Sequence, residues 1–514
     1  MDNANAADAI LGPSLHADRG DSPAILFGER SVTYGELDGE ANRFGNALRP
    51  HVSHQGRVLL LLKDSPTFVA AFLGIMRIGA VVVPLSTRAS AKDFAFAIDD
   101  SEAEALLIDE EFLPLYEAAT PKRRPGLVVV NGAAPAGFTG VADLLASQTA
   151  DLASAVVGAD DMAFWLYTSG TTGTPKAAVH CHGDVVVGDS YMADLGIRPG
   201  TRVFSSSKLF FAFALGHTLI GGLRAGGTLI LYDGWPDAAA IADVVAKYRP
   251  QVMLSVPTFY RNLLQQGQAA GEGFRQVRTY LSAGEALPAS LYARWREATG
   301  VGIVDGIGAT ETIFMFISGT PADHRPGSTG KPVSYAQVRL LDEAGEPVTA
   351  PDAKGVAYVR IGSLCRGYWR RPDVSEAAIQ DGWFRTGDVF SVDAEGWWTH
   401  HGRFDDLLKV SGQWVSPAEI EECAVAVPGV AEAAVVGVAN ADGLVRLALF
   451  LVAERSPGPE LERAVQQKML DTLAVYKCPR RIVFVESIPR TATGKVQRYL
   501  LRRMAPDADS LTRA

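Results

Sequence analysis

The chain has 514 residues, of which 47% are hydrophobic and 21% are charged. A chain of this length divides into two or more domains, and this composition excludes general disorder. The formal net charge of −10, from 48 basic and 58 acidic residues, gives no overall attraction to nucleic acid.

Cysteine usage and the apolar segments bear on the cellular compartment. The four cysteines, at positions 181, 365, 423 and 478, form no Cys-x-x-Cys pair and no zinc-binding spacing, which is typical of free thiols in a reducing cytosol. The first twenty residues lack an apolar stretch long enough for a signal peptide. The most apolar region, residues 68–85, is interrupted by arginine, glycine and proline. We therefore predict a soluble cytoplasmic protein without a membrane span.

Short apolar runs alternate with helical patterns in the first part of the chain. The runs are RVLLLL (57–62), AVVVPL (80–85), EALLID (104–109), GLVVVN (126–131), GTLILY (227–232) and QVMLSV (251–256). A helical pattern, SPTFVAAFLGIMRIG (65–79), lies between the first two runs. Continuous apolar runs separated by helices indicate parallel strands that are buried on both faces. The sequence therefore predicts an α/β fold with layered sheets.

The pattern changes after about residue 327. Segments such as AQVRLLD, GVAYVRIG and GWWTHHGRFDD have the character of short strands between turns, which predicts a small β-barrel within residues 327–404. From residue 406 onward we predict a strand, a helix opened by Ser416-Pro417 and a second strand. The predicted domains are a large N-terminal domain, residues 1–404, and a small α+β C-terminal domain, residues 405–514.

The segment YTSGTTGTPK (167–176) has the composition of a phosphate-binding loop. Backbone N–H groups freed by glycine, beside hydroxyl groups, form a concave anion site, and Lys176 adds a positive charge for a β- or γ-phosphate. The Walker pattern does not fit, because Pro175 precedes the lysine and Ala177 follows it. Taken alone, the segment is equally compatible with an ordinary flexible loop.

Five further motifs follow this loop in order. They are SAGEAL (282–287), DGIGATE (305–311), RTGD (385–388), GRFDDLLKVSG (402–412) and PRTATGK (489–495). Together with the loop, they resemble the motifs of the adenylate-forming superfamily of acyl- and aryl-CoA ligases, adenylation domains and luciferases. The resemblance covers nearly the whole chain, from SVTYGELDGEANRFGNAL (31–48) to about residue 503. It implies an enzyme that uses ATP to place AMP on a carboxylate.

The resemblance implies an ATP site with defined residue roles. In this family the loop holds the pyrophosphate end of ATP, and Asp305 matches a position near the adenine amino group. Thr310 is expected to touch the α-phosphate and Glu311 to coordinate Mg²⁺. Asp388, supported by Arg403, is expected to accept both ribose hydroxyls. The full predicted ATP set is Thr168, Ser169, Gly170, Thr171, Thr172, Gly173, Lys176, Gly284, Glu285, Ala286, Asp305, Gly306, Ile307, Gly308, Thr310, Asp388 and Arg403.

One residue of this set departs from the family pattern. Most relatives place a tyrosine before the second glycine of the DGIGATE motif, where it stacks on adenine, whereas this chain has Ile307. Isoleucine has no aromatic face, so we predict apolar packing against the adenine ring at this position.

Lys495 is the main catalytic residue that the resemblance implies. When the carboxylate attacks the α-phosphorus, negative charge builds in line with the departing pyrophosphate, and a lysine neutralises it. Lys176, Thr310 and Glu311 complete the predicted catalytic set. In the second step relatives rotate the small domain about a hinge that matches Asp405. The predicted passage for CoA consists of Lys409, Ser411, Gly412 and Trp414.

The predicted acid-binding segment reads SSSKLFFAFALGH (205–217), and it resembles the benzoate–CoA ligase branch of the family. This chain has Phe213, Ala214 and Phe314 where benzoate enzymes have tyrosine, glycine and histidine, which leaves the ring substituents open. A flat, apolar slot favours benzoate or a hydroxy- or aminobenzoate over a long acyl chain. The predicted substrate-binding residues are Phe211, Ala212, Phe213, Gly306 and Phe314.

These features predict an ATP-dependent aryl-acid:CoA ligase that uses Mg²⁺ and CoA. An adenylating enzyme that loads the phosphopantetheine of a separate carrier protein shares every motif and is the alternative. A luciferase-like oxygenase is a weaker alternative. A non-catalytic nucleotide sensor is expected to lose Lys495 or Glu311, and both residues are present. Nucleic acid and membrane are not predicted partners, and the oligomeric state is left open.

Overall fold

The computed structural model describes residues 4–169, 175–406, 408–410, 413–439, 445–455, 457–479, 481–490 and 496–505. The chain divides into two compact units, the first formed by Met1–Val338 and Tyr358–Arg385 and the second by Arg339–Ala357 and Thr386–Ala514. The predicted domain boundary and hinge near Asp405 stay predictions. Over the described ranges, no helix has the length and apolar character that a membrane span requires.

A seven-stranded sheet in the first unit contains the early apolar runs. In spatial order its strands are Thr139–Gly140, Leu127–Asn131, Ala105–Asp109, Arg57–Leu61, Val81–Pro84, Met162–Ser169 and Pro175–Cys181. All neighbouring strands are parallel except the last pair. Alternate side chains of these runs, such as Leu60 and Leu61, enter separate hydrophobic clusters on the two faces of the sheet. Both faces are covered, and the strands are therefore apolar at every position.

A nine-stranded sheet, most of it parallel, carries the later motifs of the first unit. Its strands in spatial order are Lys331–Pro332, Met315–Ser318, Ile303–Gly308, Thr279–Ser282, Val252–Ser255, Arg202–Ser205, Thr228–Ile230, Pro23–Phe27 and Arg30–Thr33. The six strands from Ile303–Gly308 to Pro23–Phe27 are parallel, and the outer strands pair antiparallel. The SAGEAL motif begins at Ser282, the last residue of its strand, and the DGIGATE motif begins at Asp305, which pairs with Ser282 in the adjacent parallel strand. Alpha/beta sheets commonly bind ligands at the carboxyl ends of their parallel strands.

Helices follow many of the strands, and several begin at residues that the sequence marks as helix starts. The Thr33 hydroxyl accepts from the Glu36 backbone N–H in a capping box, and Ser65 caps the helix that starts at Pro66. The α-helices are Ala6–Leu15, Tyr34–Leu48, Pro66–Arg77, Ala91–Ser101, Leu113–Ala118, Val141–Leu145, Asp189–Asp194, Ala212–Ala214, Gly221–Arg224, Ala238–Tyr248, Pro257–Gln265, Glu272–Arg275, Ala289–Thr299, Pro372–Ala378, Pro417–Val425, Pro459–Thr472 and Arg498–Met504.

Smaller sheets occupy the rest of the chain. A five-stranded sheet has the order Ala336–Leu341, Lys354–Ile361, Trp383–Val392 and Ile379–Gln380, with Trp398–Arg403 also paired to Trp383–Val392. A two-stranded sheet joins Leu408–Val410 and Gln413–Val415. A three-stranded sheet joins Val430–Ala439, Val445–Ala453 and Arg481–Phe484. The helix opened by Ser416-Pro417 packs against this sheet, and the predicted α/β fold class is confirmed.

Candidate active site

Glu311, the predicted metal ligand, lies in a single 3₁₀ turn, Thr310–Thr312, shortly after the strand Ile303–Gly308. The residue is only 9% exposed. Its carboxylate Oε1 accepts a 2.6 Å hydrogen bond from the hydroxyl of Tyr368. Its backbone carbonyl accepts a 2.8 Å bond from the N–H of Cys365. The segment 365–368 therefore holds both the main chain and the side chain of Glu311.

The turn that carries Glu311 is also held from its other side. The carbonyl oxygen of Thr310 lies 2.8 Å from Nε2 of His180, a buried residue on the strand Pro175–Cys181. Nδ1 of the same ring lies 2.9 Å from the carboxylate of Asp184, which is also buried. Both ring nitrogens therefore face hydrogen-bond acceptors, and the ring connects the turn to the strand that carries Lys176.

Lys176 approaches Glu311 from that strand. In the antiparallel pair of Met162–Ser169 and Pro175–Cys181, Lys176 is opposite Thr168. Its Nζ lies 4.0 Å from the centroid of the Tyr368 ring, within the range of a cation–π interaction. Tyr368 thus contacts Lys176 through its ring and Glu311 through its hydroxyl. The sequence interpretation missed Tyr368, because nothing in the RGYW segment indicates which distant residues it meets.

The residues at this turn fit a magnesium ion bound together with a nucleotide. The second carboxylate oxygen of Glu311, Oε2, has no hydrogen-bond partner among the described residues. Within the same described ranges, no group of three His, Cys, Asp or Glu side chains is arranged to hold a metal by itself. Mg²⁺ commonly takes one or two carboxylates and completes its coordination with water and phosphate oxygens. Glu311 would hold the ion, and the ion would neutralise charge on the phosphates.

The backbone changes direction sharply after Glu311. Ile313 has φ +52°, a left-handed conformation that is uncommon for a β-branched residue and often occurs at functional sites. Its carbonyl oxygen lies so close to Gly216 that a Cβ on this glycine would be 2.6 Å away. The turn at Glu311 is thereby packed directly against the predicted acid-binding segment.

An aromatic cluster surrounds His217 in this segment. The rings of Phe213 and Phe314 each lie 5.6 Å from the His217 ring, and the ring of Tyr191 lies 6.0 Å away. The structure thus brings the predicted residues Phe213 and Phe314 to the same histidine. The sequence interpretation assigned no role to His217, although a histidine at the end of an aromatic segment was a usable signal. Its segment, Leu215–Ile220, is π-helical, a form frequent at functional sites.

His217 is 1% exposed and is held in one neutral tautomer. Its Nε2 accepts a 3.4 Å hydrogen bond from the N–H of Met315. Its Nδ1–H therefore donates to the carbonyl oxygen of Phe213, 3.0 Å away. Burial lowers the pKa of His217 to about 4, because the charged ring would lose its hydration. The ring is neutral at physiological pH and fixes Phe213 relative to Met315.

The other predicted substrate residues occupy different surroundings. Phe314 is fully buried, and a Cβ on Gly188 would lie 2.6 Å from its ring. Phe211 is partly buried, with its ring centroid 4.4 Å from that of Phe210. Ala212 packs against the main hydrophobic core. Direct contact of these residues with an acid substrate stays a prediction.

The SAGEAL segment, in which the backbone of Gly284, Glu285 and Ala286 is expected to line the adenine pocket, begins at a strand end and turns through glycine. Gly284 has φ +86°, which favours glycine, directly after the strand Thr279–Ser282. The Glu285 carboxylate accepts hydrogen bonds from the backbone N–H of Thr258, at 3.1 Å, and from its hydroxyl, at 2.5 Å. The side chain of Glu285 is thus bonded to Thr258, and a nucleotide contact by this segment would have to come from its backbone. Ala286, the next residue, is exposed.

Asp305 begins the DGIGATE motif and is buried, 9% exposed. Its Oδ1 has no hydrogen-bond partner among the described residues, and burial raises its pKa. The next residues, Gly306, Ile307 and Gly308, pair antiparallel with the strand Met315–Ser318. A Cβ on Gly306 would lie 2.5 Å from Met315 Sδ and from Ser318 Oγ, so the close approach requires glycine. A buried acceptor at this point is compatible with the predicted position near the adenine amino group.

The predicted ribose residue, Asp388, belongs to the second unit. Its Oδ2 accepts a 3.3 Å bond from Arg403, which also donates to the carbonyl oxygen of Thr386 at 2.6 Å. Its Oδ1 lies 3.1 Å from Nε2 of His400, a neighbour that the sequence interpretation missed. Gly387 has φ +75°, and a Cβ there would lie 2.7 Å from the Arg403 guanidinium. The predicted pairing of Asp388 with Arg403 is present, and the ribose role stays a prediction.

Several predicted site residues lie outside the described part of the chain. These are Gly170, Thr171, Thr172 and Gly173 of the phosphate loop, Ser411 and Gly412 of the CoA passage, and Lys495. The backbones of Ser169, Lys409 and Trp414 lie in strands, and their side chains are not described. Asp405, the predicted hinge, is an exposed residue in the 3₁₀ turn Phe404–Asp406. The roles of all these residues stay predictions.

Comparison with known proteins places this site in a family. The family model for AMP-binding enzymes matches residues 15–369, and the model for their C-terminal domain matches residues 419–495. The 3-hydroxybenzoate–CoA ligase of Aromatoleum sp. (strain CIB) is 50% identical over 505 residues, 97% of each chain. The 3-hydroxybenzoate–CoA/4-hydroxybenzoate–CoA ligase of Thauera aromatica is 49% identical over 507 residues, again 97% of each chain. The chain belongs to the AMP-binding enzyme family.

Solved structures agree with this assignment. The crystal structure of the anthranilate CoA ligase AuaEII in complex with anthranoyl-AMP superposes with a TM-score of 0.90 at 35% sequence identity, covering 98% of both chains. The predicted membership of the adenylate-forming superfamily, in its benzoate–CoA ligase branch, is confirmed by these relatives.

Proposed function

We propose that this protein is an AMP-forming aryl-acid:CoA ligase whose preferred acid is 3-hydroxybenzoate. The observation that carries the proposal is the arrangement around the turn at Glu311. On one side, Tyr368 joins Glu311 to Lys176, a carboxylate and a cation suited to Mg²⁺ and phosphate. On the other, the chain leads through Ile313 into the aromatic cluster of His217. A nucleotide phosphate and a flat aromatic acid can therefore meet at this turn.

The class of enzyme predicted from the sequence, an acid–thiol ligase that uses ATP, Mg²⁺ and CoA, is confirmed by the relatives. The activation step makes an aryl-AMP and pyrophosphate, and the CoA thiol then displaces AMP. In the first unit, Lys176 would bind a phosphate oxygen and Glu311 would hold the metal. Lys495 and the CoA passage belong to the proposal on the sequence motif alone.

The choice of 3-hydroxybenzoate rests on the relatives and on the chemistry of the cluster. The names of both hydroxybenzoate–CoA ligases described above include 3-hydroxybenzoate, and the similarity to each of them covers nearly the whole chain. Phe213 is a partly buried apolar ring, Phe314 is a buried ring on the other side of His217, and the ring nitrogens of His217 are both engaged with the backbone. Aromatic rings beside a neutral histidine suit a flat benzoate ring.

A substrate panel tests the proposal. Purified protein is incubated with ATP, Mg²⁺ and free CoA and with benzoate, each of the three hydroxybenzoates, 3-aminobenzoate or octanoate, and thioesters are measured by mass. We expect the highest kcat/KM with 3-hydroxybenzoate and the lowest with octanoate. A preference for octanoate would contradict the aryl-acid assignment. Pyrophosphate release without any CoA thioester would favour the carrier protein as acceptor.

A further inference from the structure

Tyr368 contacts two predicted site residues that lie on separate segments of the chain. Its hydroxyl donates a 2.6 Å hydrogen bond to Oε1 of Glu311, and its ring lies 4.0 Å from Nζ of Lys176. Glu311 is 57 residues away along the chain, and Lys176 is almost 200 residues away. Tyr368 is itself buried, so neither contact is made at a freely mobile surface side chain.

The backbone fixes Tyr368 in this position. Tyr368 forms an antiparallel bridge with Ala178, two residues beyond Lys176 on the same strand. On either side of that bridge, the N–H of Val179 donates to Gly367 and the N–H of Trp369 donates to Ala177, at 3.0 and 2.9 Å. The segment around Tyr368 is thus an added strand beside Lys176, and the spacing between the two side chains is set by main-chain hydrogen bonds.

The two contacts reinforce each other. A phenol that donates to a carboxylate gains electron density in its ring, and a more electron-rich ring attracts an ammonium group more strongly. Conversely, a cation over the ring makes the hydroxyl a better donor. The single bond to Oε1 also leaves Oε2 of Glu311 without a partner among the described residues. The carboxylate is therefore oriented with one oxygen occupied and one available.

We propose that Tyr368 is a positioning residue that sets Glu311 and Lys176 at the separation required by a Mg²⁺–triphosphate. This inference rests on the proposed function and adds a residue to it. Glu311 would hold the metal and Lys176 would bind a phosphate oxygen of the same nucleotide, so the two side chains would have to be placed in register with one another. The hydroxyl orients the metal ligand, and the ring places the lysine. Partners that orient a metal ligand typically change metal affinity about 10–100-fold when they are removed.

Two variants distinguish the contribution of the Tyr368 hydroxyl from that of its ring. Tyr368→Phe removes the hydroxyl and keeps the ring, whereas Tyr368→Leu removes both. The matched control is Tyr34→Phe, which removes another buried hydroxyl, one that donates to the carbonyl oxygens of Leu223 and Gly227. Tyr34 has no contact with Glu311 or Lys176, and its variant reports the general cost of losing a buried tyrosine hydroxyl.

Calorimetric titration of ATP without any acid substrate, at low and at saturating Mg²⁺, measures the two effects directly. For Tyr368→Phe we expect the affinity for Mg²⁺–ATP to fall about 10-fold or more, with little change for metal-free ATP. For Tyr368→Leu we expect the affinity for both forms to fall. Tyr34→Phe should match the wild type in both titrations, and thermal unfolding of each variant verifies that it is folded.

A second comparison tests whether the hydroxyl acts through Glu311. In a Glu311→Gln background, Tyr368→Phe should cause no further loss of Mg²⁺–ATP affinity, because the two residues act as one unit. Equal effects of Tyr368→Phe on metal-bound and metal-free ATP, or additive effects with Glu311→Gln, would overturn the positioning role. Because ATP binding is measured without acid, this result is independent of which acid, if any, the enzyme activates.

Discussion

At the scale of single residues, the contacts of Glu311 determine what its replacement should do. Glu311→Gln keeps the size of the side chain and can still accept from Tyr368, but it loses the charge that we propose holds Mg²⁺. We expect adenylation, measured as pyrophosphate release, to fall sharply at every Mg²⁺ concentration while the fold persists. Pyrophosphate release at the wild-type rate across a Mg²⁺ titration would contradict the metal role.

We also predict that single side chains decide the specificity for the aromatic ring of the acid. Phe213→Tyr combined with Phe314→His adds two polar groups around His217, where the wild type has two apolar rings. A site that hydrogen-bonds a ring substituent discriminates strongly against acids that lack it, whereas an apolar site does so weakly. We therefore expect a changed order of kcat/KM among substituted benzoates. An unchanged order in the double variant would mean that these residues do not face the ring.

At the scale of elements, the π-helical segment Leu215–Ile220 makes stability depend on pH. His217 has a pKa of about 4 in the folded protein, below its ordinary value of 6.5, because it is buried. The unfolded chain therefore takes up a proton at a higher pH than the folded one, and stability falls as the pH falls from 6.5 to 4. Linkage gives a loss of about 3 kcal/mol from this residue over that range.

The variant His217→Phe isolates this contribution. Phenylalanine cannot be protonated, so the variant lacks this pH-dependent loss of stability. Between pH 6.5 and pH 4 the unfolding free energy of the variant should therefore rise relative to that of the wild type by up to about 3 kcal/mol. Urea unfolding at several pH values measures it. Comparison with the wild type is needed, because burial also lowers the pKa of His182 and of His401. A constant difference across this range would contradict the assignment.

The elements themselves were largely predictable from the sequence. The runs at 57–62, 80–85, 104–109 and 126–131 became parallel strands, since an apolar run bounded by turn residues is stable only when both faces are covered. The helix Pro66–Arg77 lies within the predicted helical pattern 65–79, with Ser65 as its N-cap and Pro66 as its first residue. The π-helical form of Leu215–Ile220 was not predictable, because no local pattern distinguishes it from an α-helix and its packing against Ile313 is a long-range contact.

At the scale of the whole molecule, the two half-reactions should be separable by mutation. Lys495→Ala should slow adenylation by roughly 10²–10³-fold, the loss expected when one preorganised charge stabiliser is removed. Formation of the thioester from preformed aryl-AMP and CoA should hardly change, since the lysine loop is expected to have moved away by then. Gly412→Leu should do the reverse, because a side chain at this position narrows the predicted passage for CoA.

Pyrophosphate exchange and thioester formation, measured separately on both variants, show whether each variant affects one half-reaction or both. The prediction rests on the family resemblance, which implies that two faces of the small domain serve one active site in turn, with Asp405 as the predicted pivot. Equal damage to both steps in both variants would contradict domain alternation in this enzyme.

The sequence by itself determined the fold class, the family and the chemistry. Phosphate loops, apolar strand runs and helix caps are each formed by a few neighbouring residues, so they can be recognised from the sequence. Six motifs in the same order as in the family identify the family. Only the tertiary structure showed that Tyr368 joins Lys176 to Glu311, and that His217 joins Phe213 to Phe314. Apart from the contact of His217 with Phe213, these contacts join residues that lie far apart in sequence, and their partners follow from the pairing of strands and the path of a turn. No local pattern of residue types encodes that pairing, so it became visible only once the chain was folded.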